Sequence, residues 1–188
     1  MNTFRSGSCK QSGTSMIEVL VTLVILLIGL LGLAGLQLQA QRSEAESYQR
    51  VQALVLLEDM VGRINANRLN ATSYVVANIG DPADGQPAAG SCAAIATMPG
   101  RDLCEWSNAL KGASEQQAGA AVGVMLGGRG CVTYNAASSV AMVSVAWQGL
   151  GDTAAPPASL TCGTGLYGSE TKRRVVSLPV RFATLAAL

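Results

Sequence analysis

An apolar run of 21 residues near the N-terminus, from Met16 to Leu36, constrains this chain more than any other feature of its sequence. Glu18 is the only charged residue in the run. At about 1.5 Å per residue, a helix of this length spans about 32 Å, enough to cross the hydrocarbon core of a bilayer. Because Arg5 and Lys10 precede the run, the positive-inside rule predicts a cytoplasmic N-terminus and an exported remainder.

The composition argues against catalysis and against nucleic-acid binding. The chain has no histidine, the commonest general base and metal ligand. No serine or lysine stands in a recognisable nucleophile motif. Without Arg5 and Lys10, the 13 basic residues fall to 11, against 12 acidic residues. A chain so balanced does not bind nucleic acid through bulk charge, and we expect no enzymatic activity, cofactor, metal or nucleic-acid partner.

Cysteine spacing predicts structural disulfides. Cys9 stands alone in the basic N-terminal stretch, whereas Cys92, Cys104, Cys131 and Cys162 lie further along the chain. None of the spacings is the C-x-x-C of a metal or redox site, so two disulfides in an oxidising compartment are the better interpretation. Four cysteines allow three pairings. We favour Cys92–Cys104, which would pin a loop, together with Cys131–Cys162, which would tie down the C-terminal edge.

Two ordinary interpretations of the apolar run leave Glu18 unexplained. The run could be a cleaved secretory signal peptide, since Gly32-Leu33-Ala34 before Gly35 has the small residues of a cleavage site. It could also be an uncleaved membrane anchor. In both cases the carboxylate is a penalty of up to about 3 kcal/mol at a helix centre, and less near a helix end.

The segment Gly13-Thr14-Ser15-Met16-Ile17-Glu18 resembles the prepilin peptidase site of type IV pilins, where a basic leader and a glycine precede a long apolar helix. The resemblance implies that the peptidase cuts between Gly13 and Thr14 and that the new Thr14 amine is methylated. Most major pilins have phenylalanine at this first mature position. Threonine is therefore more typical of a minor pilin or a pseudopilin.

The same resemblance gives Glu18 a partner. In the family, the equivalent glutamate meets the N-terminal amine of a neighbouring subunit as the filament packs. A carboxylate and an ammonium attract strongly in a low-dielectric helix bundle and are costly apart, so the pair would select one axial offset between subunits. An intrachain pairing of Glu18 with the Thr14 amine stays open.

An amphipathic pattern continues the helix beyond Leu36. Apolar residues recur there at intervals of three and four; they are Tyr48, Val51, Leu54, Leu57, Val61 and Ile64. No proline interrupts residues 14–68, so we expect one helix of about 55 residues. After a leader of residues 1–13, residues 14–36 would lie in the membrane or the filament core, and residues 37–69 would pack on a globular head of residues 70–188.

The head is expected to begin with loops and to end with strands. Strong turn signals occur at Asp81-Pro82, Asp84-Gly85 and Pro99-Gly100. Apolar and β-prone residues predict short strands over residues 130–134, 142–148 and 172–185. Strands so close in sequence favour an antiparallel meander packed on the helix, and hence an α+β fold.

The last predicted strand has two distinct faces. One face carries Arg174, Val176, Leu178, Val180 and Phe182, and the other carries Arg173, Ser177 and Arg181. We expect Arg173 and Arg181 to be solvated.

A long helix followed by a C-terminal meander resembles the type IV pilin fold along essentially the whole chain. The segments Val143 to Gly149 and Arg173 to Leu178, with Cys162 between them, are similar to the PilV group of minor pilins, as is Leu54 to Arg68. The resemblance implies a low-copy subunit that joins other minor pilins in a complex priming pilus assembly, and that supports twitching motility and attachment.

The implied partners are the other minor pilins, the major pilin, the prepilin peptidase, the inner-membrane assembly platform and a tip adhesin. The implied location is the inner membrane, with a periplasmic head, and then the extracellular pilus at its tip. The alternative is a minor pseudopilin of a type II secretion system, which has the same leader and helix.

Overall fold

The computed structural model of the chain describes Gly13 and residues 15–113, 116–117, 120–121 and 125–182. The expectations for residues 1–12 and for Thr14 lie outside the described residues. The chain divides into two compact units, Met1–Glu44 and Ala45–Leu188.

The first helix, α1, runs from Met16 to Ala66, close to the predicted 14–68. The last turn of α1 begins to change to a 3₁₀ helix, because Asn67 N donates to the carbonyls of both Arg63 and Ile64 at 3.1 Å. A 3₁₀ helix, Arg68–Tyr74, follows directly.

The face of α1 that is buried in the second unit differs from the predicted stripe. The buried residues are Ala53, Leu57, Met60 and Ile64. Tyr48, Val51 and Leu54 were expected in the core but are 55%, 60% and 41% exposed. This part of the prediction was wrong because apolar residues occupy two faces of the helix, and periodicity does not say which face meets the sheet.

The second unit contains a four-stranded antiparallel sheet and a small hairpin. The strands are β1 (Val76–Ile79), β2 (Gln116–Gln117), β3 (Ala120–Ala121), β4 (Arg129–Asn135), β5 (Val140–Gln148) and β6 (Arg173–Arg181). The sheet has the order β1-β4-β5-β6, and β2 pairs with β3. The predicted meander is therefore present as β4, β5 and β6, in a sheet with one additional strand. The α+β fold class is confirmed.

A second helix, α2, runs from Met98 to Leu110. The sequence pattern gave Pro99-Gly100 as a turn, but both residues lie in the first turn of this helix. Proline is tolerated there because the first N–H groups of a helix have no intrahelical partner. Between β1 and α2, a 3₁₀ helix spans Ala89–Ala94.

The main core lies between the two helices and the inner face of the sheet. Trp106 on α2 is fully buried, and its indole Nε1 donates to Leu56 O of α1 at 2.8 Å. The sheet contributes Val132, Val143 and Val145, all fully buried. Burial of these apolar side chains is the main stabilising term for the second unit.

A smaller cluster covers part of the outer face of the sheet. Cys131, Ala146, Cys162 and Tyr167 form it, with Val175 packed against them. The connection between β5 and β6 ends in a short 3₁₀ helix, Glu170–Lys172, and it supplies the covering residues.

Arg173 is buried beneath that connection, which corrects the expectation that it is solvated. The residue is 2% exposed. Its guanidinium donates to Glu170 Oε2 at 2.5 Å, Leu160 O at 2.7 Å and Cys162 O at 3.1 Å. These three acceptors replace the water that burial removes from the guanidinium. Arg181, at the other end of β6, is exposed as expected.

Candidate functional site

The apolar part of α1 between Met16 and Leu36 is exposed along its whole length. Met16 is 85% exposed and Leu31 is 73% exposed. The most apolar 18-residue window of the helix has a mean hydropathy of 2.9, and none of it is buried within the chain. An apolar surface of this extent needs a bilayer or other apolar helices around it.

Glu18 lies in the first turn of α1, inside this apolar surface. Its backbone N–H donates to Ser15 O at 2.9 Å. Among the described residues, its carboxylate is exposed and has no ion-pair or hydrogen-bond partner. The start of a helix favours an acid, but only modestly. In a water-free environment the carboxylate therefore needs a cation from elsewhere.

Gly29, Gly32 and Gly35 leave gaps along the same segment. A Cβ added at any of them would meet nothing within 4 Å in this chain. The fold of the chain therefore does not require these glycines. Small residues in a membrane helix let helix backbones approach one another closely in an apolar phase.

Glu46, where α1 enters the second unit, bonds the helix to the connection that follows β5. Its Oε1 accepts from the N–H groups of Leu150 at 3.1 Å and Gly151 at 3.3 Å. Arg174 Nη2 reaches the same oxygen at 3.4 Å and also donates to Gly151 O at 2.8 Å. One carboxylate thus fixes both a loop and the start of β6 on the helix.

Arg63 joins α1 to α2 near the other end of the helix. Its guanidinium contacts Asp59 at 2.9 Å, Asp102 at 3.1 Å and Glu105 at 2.5 Å. Burial works against the charged form, but the hydrogen bonds to the three carboxylates outweigh it and raise the pKa of Arg63 above its ordinary value. Only the Asp59–Arg63 pair, four residues apart, has a signal in the sequence.

Tyr74 completes this network from the core. Its hydroxyl donates to Asp102 Oδ2 at 2.5 Å. Burial, reinforced by the hydrogen bond to Asp102, raises the pKa of Tyr74 to about 12. The side chain is therefore a neutral donor at physiological pH. It holds the first α2 turns against the segment that follows α1.

The four cysteines of the second unit form two disulfides. Cys92 is bonded to Cys104, with their Cα atoms 5.6 Å apart, and Cys131 to Cys162, with their Cα atoms 5.8 Å apart. These are the pairs that the sequence analysis favoured. The first joins the 3₁₀ helix before α2 to α2 itself, and the second fixes the β5–β6 connection over the outer face of the sheet.

No group of three or more His, Cys, Asp or Glu side chains able to hold a metal ion occurs among the residues that the structure describes. The hydrogen bonds and ion pairs of Glu46, Arg63 and Tyr74 join separate elements of the second unit and have the character of structural ties.

Comparison with known proteins gives two matches, which adjoin along the chain. A family model described as type IV pilin Tt1218 matches residues 35–118. A model of the prokaryotic N-terminal methylation motif matches residues 8–34. No curated protein and no solved structure matches the chain.

Together the two matches run from residue 8 to residue 118, more than half of the chain. The methylation motif contains Gly13, Thr14 and Glu18, and the pilin model begins where the motif ends. The fold agrees with both, since a long N-terminal helix precedes an antiparallel sheet. The chain belongs to the type IV pilins, which are membrane-anchored structural proteins, not enzymes, and which are processed by a prepilin peptidase and assemble with other pilins.

Proposed function

We propose that this pilin is a minor pilin that joins a complex of minor pilins and primes assembly of a type IV pilus. In this proposal the peptidase removes residues 1–13 by cutting between Gly13 and Thr14, and Thr14 is N-methylated. Residues 14–36 then form the membrane or filament-core half of the helix, residues 37–69 its amphipathic half, and residues 70–188 the head.

Glu18 is the observation that carries the proposal. Its carboxylate lies in an exposed apolar helix and has no partner among the described residues. A cut after Gly13 would create an ammonium on Thr14, four positions away. The same group on a neighbouring subunit would supply the missing cation when helices pack in a filament. Because separation of the pair in an apolar phase is costly, the pair favours one register between subunits.

Two sequence features favour a minor over a major subunit. Thr14 occupies the position where most major pilins have phenylalanine, and the β5 and β6 segments resemble the PilV group. On this basis the partners are other minor pilins, the major pilin, the assembly platform in the inner membrane and a tip adhesin. The subunit would begin in the inner membrane with a periplasmic head and end at the pilus tip, in support of twitching motility and adhesion.

Replacement of Glu18 by glutamine tests the proposal, because it keeps the shape of the side chain and removes its charge. Mass spectrometry of the mature variant should still find methylated Thr14 as the first residue. Its amount in sheared pili should fall by about tenfold, which corresponds to about 1.4 kcal/mol of lost pairing. Glu44→Gln is the control, since Glu44 is an exposed carboxylate of the same helix outside the apolar run. E18Q at wild-type levels in pili would contradict the assembly role.

The alternative is a minor pseudopilin of a type II secretion system, since threonine after the cut is typical of both groups. Deletion of the gene separates the two functions. The pilus proposal expects loss of twitching with secreted hydrolases unchanged. Loss of secretion with normal motility would establish the alternative instead.

A further inference from the structure

We propose that the second unit contains a binding cleft for a neutral saccharide, placed just after the C-terminal end of α1. The cleft has a volume of about 520 Å³. One wall is formed by Asn67, Asn70 and Ser73, which follow α1, and the other by residues 97–100 at the start of α2. This volume lies within the range of small-molecule sites, about 300–1,000 Å³.

The cleft presents uncharged hydrogen-bonding groups that the fold does not use. Within the described part of the chain, the Asn70 Oδ1 atom and the hydroxyls of Ser73 and Thr97 have no intramolecular hydrogen bond. All three residues are exposed. Amide and hydroxyl groups accept and donate hydrogen bonds without a net charge, so they can replace water around a ligand hydroxyl.

The first wall is held in place by the core. Asn67 Nδ2 donates to the hydroxyl of the buried Tyr74 at 3.2 Å. Asn70 Nδ2 then donates to Asn67 Oδ1 at 2.7 Å. Asn70 lines the cleft, and these bonds leave its Oδ1 as an unused acceptor. A preformed acceptor reduces the entropy lost on binding.

The second wall depends on a glycine. A Cβ on Gly100 would lie 2.8 Å from Thr97 Oγ1 and 2.9 Å from Ile95 Cγ2. Only glycine therefore fits beside Thr97 without displacing it. Met98, which is 56% exposed, and Pro99 add apolar surface next to these polar groups.

This combination matches a saccharide better than an anion. Sugar hydroxyls both donate and accept, and the C–H face of a sugar ring can pack on Met98 and Pro99. Among the residues that the structure describes, no lysine or arginine lines the cleft. The nearby Arg101 directs its Nη2 to Ile95 O at 3.2 Å. The lining residues themselves therefore offer a phosphate or carboxylate no cation to pair with.

The affinity should be weak. The cleft has no aromatic ring among its lining residues, and its polar groups are already solvated. A dissociation constant in the millimolar range, about 1 mM, corresponds to about 4 kcal/mol of binding free energy. Such contacts become effective when several subunits or sugars act together.

Saturation-transfer NMR on the full-length processed pilin tests the inference. The detergent must have no sugar headgroup. The probes are glucose, galactose and N-acetylglucosamine, with N-acetylneuraminic acid and glucose 6-phosphate as charged comparators. We expect a saturation-transfer signal from at least one neutral sugar when that sugar is present at roughly 10 mM. Ser73→Arg, which adds a long charged side chain to the wall of the cleft, should reduce this signal by at least about fivefold.

Thr72→Arg is the matched control, because it adds the same side chain at the adjacent exposed residue, which does not line the cleft. Its signal should equal that of the wild type, and non-reducing mass spectrometry should find both disulfides in each variant. The inference is overturned by absence of any neutral-sugar signal, by a signal from charged sugars alone, or by full binding in Ser73→Arg. These outcomes leave the pilus-assembly proposal untouched, because that proposal is tested in filaments.

Discussion

Asp84 organises the loop after β1 through contacts that are distant in sequence. Its carboxylate accepts from Lys111 Nζ and Ser107 Oγ, both at 2.6 Å, and from Gly80 N at 2.8 Å. Burial opposes ionisation of Asp84, but these donors and the Gln86 N–H outweigh it and hold the pKa at about 2. Asp84-Gly85 predicted a turn from local propensity. The partners were not predictable, because they lie 23 and 27 residues away.

Asp84 should make the stability of the second unit depend on pH. The folded chain lowers the pKa of this group from its ordinary value of 3.8 to about 2. Its contribution is therefore fully present above about pH 4 and is lost as the pH falls toward 2. The whole loss is at most about 2.5 kcal/mol, of which about 1 kcal/mol falls between pH 6 and pH 3. Urea unfolding of the full chain in a non-ionic detergent at pH 6 and pH 3 measures it.

Asp84→Asn should lower the unfolding free energy at pH 6 and flatten its decrease between the two pH values. Glu58→Gln is the control, since Glu58 is exposed on α1, and this variant should behave like the wild type. An equal pH dependence in Asp84→Asn and the wild type would show that Asp84 does not carry this linkage.

Arg173 shows another limit of sequence reasoning at the residue scale. Alternation assigned it correctly to the face of β6 opposite Val176 and Val180, and that face was expected to meet water. The structure instead places the carbonyls of Leu160 and Cys162 over it. Strand periodicity gives the face of a side chain, but it does not tell whether a connection will fold back over that face.

At the scale of elements, the strongly patterned segments were predictable and the short ones were not. Length and composition predicted α1, and alternation predicted β5 and β6 within a few residues. The strand β1 has four residues and contains Asn78 in a left-handed conformation, with φ of 55°. Its side-chain Oδ1 accepts from Gly163 N at 2.9 Å. A strand so short and irregular depends on tertiary contacts, and its sequence pattern is too weak to predict a strand.

Gly130 determines how closely α2 packs on β4, and this contact can be tested. A Cβ at this position would lie 2.5 Å from the Trp106 ring and 2.8 Å from Leu110 Cδ1. Gly130→Ala should therefore cost about 1–3 kcal/mol of unfolding free energy, because the buried ring has no room to move. Loss of Trp fluorescence in urea, for the full chain in detergent, reports the midpoint.

Gly62→Ala provides the matched control for this contact. Gly62 lies on the exposed face of α1, where a Cβ would meet nothing within 4 Å. The same substitution there should raise stability by up to about 1 kcal/mol through helix propensity. A Gly130→Ala variant as stable as the wild type would contradict the packing of Trp106 against β4.

At the scale of the whole molecule, α1 contributes to both compact units. The unit Ala45–Leu188 includes the buried residues Leu57, Met60 and Ile64, together with Glu46 and Arg63. The sequence analysis placed the start of the head at residue 70, where the composition changes. The core of the second unit extends across that boundary. The end of α1 supplies one apolar face to the sheet, although α1 is a single continuous helix.

Two fragments of the chain distinguish a head whose core includes the end of α1 from a head that begins near residue 70. A fragment of residues 45–188 should fold without detergent, because it keeps the helical face of the core and lacks the exposed apolar run. A fragment of residues 67–188 should not fold cooperatively. It loses Leu57, Met60 and Ile64, each worth about 1.5–3 kcal/mol when buried, and these losses approach the whole stability of a domain.

Both fragments should be exported to an oxidising compartment and compared by dispersion of amide NMR signals and by urea unfolding. Non-reducing mass spectrometry should find both disulfides as single species in the longer fragment and mixed pairings in the shorter one, since only a folded core holds the cysteines in register. A cooperative transition in the shorter fragment would mean that α1 is not needed for the core of the second unit. Aggregation of the longer fragment without detergent would contradict its expected folding without the apolar run.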